Sequence, residues 1–136
     1  MSFPYLKHPV VISSLILTFL NDHYLKYQYS NFVTGKISDF TGIFYFPLFI
    51  YALAVFFKAR QAHPAKISKM GLLMSILITD ILFVFFKYTA LRIWLTDFFN
   101  NYIFKIQIVP DITDLSALSM NLFTYWFASQ YFKKTN

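Results

Sequence analysis

Apolar residues fall into four long runs, parted by short clusters of charge. The first, PVVISSLILTFL, opens on Pro9, which suits a first helical turn because its missing N–H has no helical partner there. Its twelve residues fall short of the ~20 that a helix needs to cross ~30 Å of hydrocarbon. A helix over 9–27 is therefore expected, with Asn21, Asp22 and His23 drawn into the far third of the membrane or to its edge. The second run, GIFYFPLFIYALAVFFK, predicts a helix over 38–58. Pro47 inside it is tolerated in a membrane, where neighbouring groups satisfy the freed carbonyl. The third, MGLLMSILITDILFVFF, predicts a helix over 69–87 with Asp80 past its midpoint, and DLSALSMNLFTYWFASQYF a fourth over 113–132.

Between the third and fourth runs lies TALRIWLTDFFNNYIF. Leu91, Trp94, Leu95, Phe98, Tyr102 and Ile103 recur at helical spacing, with Arg92, Thr96, Asn100 and Asn101 largely off that face. The pattern reads as an amphipathic helix over 89–103 lying on a membrane surface. An extension of the third helix or a re-entrant segment also fits. KIQIVP alternates and ends in proline, which predicts an extended stretch. The expected fold is all-α: one integral membrane domain, residues 1–136, built as a four-transmembrane-helix bundle with an additional amphipathic interfacial helix between helices three and four.

Composition strengthens this picture. The chain is 57% hydrophobic and 22% aromatic, with 13% charged residues, too few to cover the surface of a soluble domain. With no cysteine, disulfides and thiolate chemistry are excluded. A net charge of +6 raises nucleic acid as a partner, but the basic residues sit in short loops beside apolar runs, as in membrane proteins, and no nucleic acid is expected. The first run leads into NDHYLK without a small-residue cleavage site, so a retained helix is expected rather than a signal peptide. Lys and Arg divide seven to five in favour of the side holding Lys7, the loop KARQAHPAKISK and the Lys133–Lys134 tail, which predicts both termini in the cytoplasm.

Four spans have a consequence independent of orientation. The end of helix one, the start of helix two, the end of helix three and the start of helix four face the same side. Every acid of the chain (Asp22, Asp39, Asp80, Asp97, Asp111, Asp114) is on that side or approaching it, together with His23, Lys26, Lys36 and Lys87. A polar cluster at the outer end of the bundle follows, formed by Asn21, Asp22, His23, Lys26, Lys36, Ser38, Asp39, Asp80, Lys87, Asp111, Asp114 and Asn121. Within it, Ser14, Thr18, Asp22 and Lys26 repeat every four residues and share one helix face, with Asp22 and Lys26 in favourable order. Ser38 or Asp39 could cap helix two, and Ser38 with Gly42 makes a small-xxx-small spacing for close helix packing. Asp80 in LITDILFVFF has no basic neighbour in sequence. Its partner is expected to be Lys87, seven residues on, or Lys26 or Lys36 from another helix, the alternative being a hydrogen bond to a neighbouring helix. Asp111 or Thr113 is expected to cap helix four, with Asn121 continuing its polar face.

For an enzyme the signs are thin. No metal-ligand spacing, G-x-S-x-G elbow or phosphate-cradling glycine loop is present, so no metal, no cofactor and no catalytic residue is assigned. The motifs NDHYLK, TGKISDFTGIFYFP and DITDLSAL resemble a family of small, uncharacterised bacterial integral membrane proteins, with N-D-H-x-L-K, T-G-K-x-S-D-x-x-G-x-x-x-x-P and D-x-T-D-L-x-A-L. The resemblance implies a multi-pass protein of the bacterial inner membrane and supplies no activity. More distantly the chain is similar to VanZ-like membrane proteins, linked to teicoplanin resistance. In these, polar residues start helix two, an acid lies near the end of helix three, and an Asp-x-x-Asp-type run precedes helix four. Asp39, Asp80, Asp111, Asp114 and Asn121 fall in comparable places. The Glu-x-x-Gln-type pattern and paired glycines of those proteins are missing here. The readings that follow are a binding protein for a lipid headgroup, envelope precursor or amphiphile; an accessory, assembly or protective subunit of a membrane complex; and a membrane-embedded Asp/His-dependent hydrolase or transferase.

Overall fold

The computed structural model describes residues 3–60, 68–103 and 111–132. Every regular element among them is helical. α1 spans Pro9–Leu20 and runs on through a wider π turn, Asn21–Leu25, and a short piece, Lys26–Gln28. α2 spans Phe32–Arg60, α3 Lys69–Tyr88 and α4 Leu91–Tyr102. A 3-10 segment, Ile112–Ser119, leads into α5, Met120–Phe132. KIQIVP lies outside the described residues, as does most of the basic loop between α2 and α3.

Each helix start has a local cause. His8 caps α1, its Nδ1 accepting the Val10 N–H at 3.2 Å, and Pro9 takes the first helical position. Ser68 caps α3 by accepting the Gly71 N–H at 3.1 Å. At α2 the capping is reciprocal. Asn31 Oδ1 accepts the Thr34 N–H at 3.0 Å, and Thr34 Oγ1 accepts the Asn31 N–H at 3.2 Å. That pair starts α2 at Phe32, ahead of the expected position 38. Ser38 and Asp39 therefore do not cap it; both lie inside the helix.

α2 is the central element and packs against α1, α3 and α5. Phe44, Leu48, Tyr51, Ala52 and Val55 on α2 meet Val11 of α1, Leu72 and Ile76 of α3, and Phe127 and Ala128 of α5. The contact with α3 is closest at Gly71, where a Cβ would lie 2.8 Å from the Tyr51 ring. That ring is fixed, because the Tyr51 hydroxyl accepts the Ser68 N–H at 2.7 Å and donates to the Ser68 carbonyl at 3.2 Å. Beside Pro47, Thr124 of α5 donates to the Phe44 carbonyl at 3.3 Å, one residue on from the Ile43 carbonyl that the proline leaves without its helical donor.

α2 and α3 are each long and apolar enough to cross a membrane, with an apolar window of mean hydropathy 2.0. The other two expected spans are not single α-helices of that length. The π turn ends α1 after twelve residues, and the 3-10 segment leaves thirteen for α5. Large apolar side chains cover the outer faces, among them Ile12, Ile16 and Phe19 on α1 and Leu73, Leu77 and Ile81 on α3. An exterior this apolar points to association with a membrane. The apolar core gathers where α1 and α3 begin and α2 and α5 end. Asp22, Asp39, Asp111 and Asp114, with Lys26, Lys36 and Lys87, lie at the opposite end.

Candidate functional site

Two lysines and three aspartates form a continuous chain at that end. Lys36, on the second turn of α2, bonds Asp111 at 3.2 Å and also Asp114. Lys87, on the last turn of α3, bonds Asp114 at 2.6 Å and also Asp39 of α2. The order is Asp111, Lys36, Asp114, Lys87, Asp39. Asp114 is the hub, with 4% of its side chain exposed against 10% for each lysine. Asp114 also closes a capping box with Asp111. The Asp111 carboxylate accepts the Thr113 N–H at 2.9 Å, and Asp114 Oδ2 accepts the Asp111 N–H at 3.1 Å. Of the two candidate caps, Asp111 is therefore the cap. The Thr113 N–H, with Lys36 beside it, holds the Asp111 carboxyl below the ordinary carboxylate range. Phe32 and Phe83 lie under the two ammonium groups, at 5.1 Å from Lys36 and 5.2 Å from Lys87. Tyr88 donates to the Asp111 carbonyl at 2.6 Å.

A second polar set joins α1 to α2. Asp22 accepts from Lys26 and from Ser38, both at 2.6 Å. Asn21 is fully buried and donates to the Thr34 carbonyl and to Ser38 Oγ, both at 2.8 Å. Its Oδ1 has no hydrogen-bond partner among the described residues. Thr18 and Thr41 meet at 2.6 Å one turn deeper. The shared face of Ser14, Thr18 and Asp22 is thus turned towards α2, and the π turn begins where that face becomes charged.

Two expected members lie elsewhere. Asp80 pairs with no lysine among the described residues. It accepts from Asn121 Nδ2 at 2.7 Å, the neighbouring-helix alternative. Lys87 was the natural partner by spacing, but Asp39 and Asp114 hold it. His23 is exposed, with its ring stacked 4.3 Å from Phe19 and its Nδ1 3.0 Å from the Phe19 carbonyl. It does not line the cavity described next.

A cavity of about 520 Å³ opens between the end of α1, the first half of α2 and the last turns of α3. Asp22, Lys26, Asp39 and Lys87 give it charge, and Phe46, Leu82, Phe83 and Phe86 give it apolar wall. Gly35 and Gly42 also line it, and a Cβ at either would meet nothing within 4 Å. Gly42 is therefore no helix-packing glycine, as its spacing from Ser38 suggested; it keeps space open. The aromatic wall was missed in the sequence, because phenylalanines crowd every apolar run and nothing local marks Phe83 or Phe86. Thr34 carried a signal in N-x-x-T at 31–34. Among the described residues no group of three or more His, Cys, Asp or Glu is placed to hold a metal ion. Comparison with protein families, with curated proteins and with solved structures found no match.

Proposed function

We propose that this chain is a small multi-pass protein of the bacterial inner membrane that binds a lipid headgroup, envelope precursor or related amphiphile in the cavity at the charged end of its bundle. Both termini would face the cytoplasm and the cavity the outer side. The observation that carries the reading is the cavity's division into a charged part and an aromatic part, which matches a ligand with a polar head and an apolar body. Helix lengths support four crossings. The twenty residues from Pro9 to Gln28 rise ~30 Å at ~1.5 Å each. Eight 3-10 residues at ~2.0 Å and thirteen α-helical ones at ~1.5 Å rise ~35 Å together, against ~30 Å of hydrocarbon. α4 carries a ridge of Trp94, Phe98 and Tyr102, with ring centroids 5.6 and 5.3 Å apart, suited to the membrane interface.

The other readings have less to rest on. The charge chain from Asp111 to Asp39 is satisfied within one copy, which weakens the case for a partner subunit that completes it. Each aspartate of that chain is bonded to a lysine, and His23 lies apart from them, which weakens the case for a hydrolase or transferase. The VanZ-like resemblance gains nothing from the comparisons, so the proposal stands on geometry. Thermal melting of detergent-purified protein against lipids, divalent metals and envelope precursors tests it. At least one amphiphile is expected to raise the melting temperature of wild type and not of Gly42→Leu. No shift with any amphiphile would overturn the reading.

A further inference from the structure

We propose that the headgroup taken by the cavity is zwitterionic, of the phosphoethanolamine type: a primary ammonium seated on Asp39 and a phosphate beside Lys26. The inference rests on the amphiphile-binding reading and specifies its ligand. Among the described residues, four carboxylates at this end, Asp22, Asp39, Asp111 and Asp114, face three ammonium groups, Lys26, Lys36 and Lys87. One negative charge is left over, which favours a ligand that brings a cation and disfavours a purely anionic one. The bonding within the set says where each charge goes. Lys36 and Lys87 each bond two carboxylates, whereas Lys26 bonds Asp22 alone. Lys26 lines the cavity with 31% of its side chain exposed, so it is the lysine with the most N–H groups left for a ligand phosphate.

Asp39 is its counterpart. It also lines the cavity, and its hydrogen bond to Lys87 uses Oδ2, leaving Oδ1 without a hydrogen-bond partner among the described residues. A primary ammonium has N–H groups to give that oxygen. A quaternary choline has none; Phe46, Phe83 and Phe86 line the apolar wall of the cavity. That wall is where the first part of the acyl chains would lie.

The test is titration of delipidated, detergent-solubilised full-length protein, followed by thermal melting. The probes are dioleoyl phosphatidylethanolamine, phosphatidylglycerol, phosphatidylcholine and phosphatidic acid, with soluble glycerophosphoethanolamine as the tail-free form. The ethanolamine lipid is expected to bind about tenfold or more tighter than the other three, a step of ~1.4 kcal/mol. Glycerophosphoethanolamine is expected to be weaker than the lipid, and an equal affinity would overturn the placing of the chains on the aromatic wall. Asp39→Asn and Lys26→Met are each expected to lower affinity for the ethanolamine lipid and to flatten the ranking. Equal or tighter binding of the glycerol or choline lipid to wild type would overturn the headgroup assignment, while loss of that binding in Gly42→Leu would leave the cavity reading standing. Binding of no lipid would sink both. Should Asp39→Asn fail to fold, the wild-type ranking and Lys26→Met decide the matter.

Discussion

Asp114 sits between two ammonium groups with almost no exposure, so its removal leaves Lys36 and Lys87 each short of a partner in a buried setting. Breaking a buried pair from one side typically costs about 3–5 kcal/mol. Asp114→Ala should lose that much in an unfolding titration. Asp22→Ala, whose partner Lys26 is about a third exposed, should lose under ~1 kcal/mol. Equal losses would mean that the chain through Asp114 is not the structural hub. Asp111 adds a pH dependence. Its folded carboxyl titrates below its unfolded value, so it stabilises the fold above the unfolded pKa, and that contribution disappears as pH falls through the folded one. The melting temperature should hold steady down to about pH 5 and drop below about pH 4. Asp111→Asn keeps a good helix cap and should shrink the drop. An unchanged acid limb would show that Asp111 does not contribute to it.

At the scale of elements, two glycines of similar appearance in sequence do opposite things. Gly71 lets α3 approach an anchored Tyr51 ring, and Gly71→Ala should destabilise by about 1–3 kcal/mol through overpacking. Gly42 faces open space, so Gly42→Leu should keep the fold and gain up to ~1 kcal/mol from the loss of a helix glycine. Thermal melts of the two variants side by side check this, and a destabilised Gly42→Leu would contradict the open cavity. The contrast also marks the limit of sequence reading. What is local in cause was legible: a helix near 69–87, an amphipathic helix after it, and Asp111 as one of two candidate caps. The start of α2 was misplaced because its cap, Asn31 with Thr34, lies in a polar stretch that reads as loop. Gly42 was misread because a spacing says which face a residue shares, and only the fold says whether a helix stands opposite.

At the scale of the whole molecule, topology did the most. Helix directions bring Asp22, Asp39, Asp111 and Asp114 to one end, and that much follows from the order of apolar runs in the sequence. Which charges bond is decided by competition in three dimensions. Asp39 and Asp114 take Lys87, and Asp80 is left to Asn121. The outcome is a bundle tied at one end by aromatic packing and at the other by a buried charge chain. The cavity opens beside that chain, and its occupancy is the central claim. Native mass spectrometry of wild type and Gly42→Leu, extracted from the same membranes under the same detergent, measures it directly. Wild type should carry a retained amphiphile at about one per chain and an equally well-folded Gly42→Leu should carry none. The same adducts at the same abundance on both proteins would contradict it.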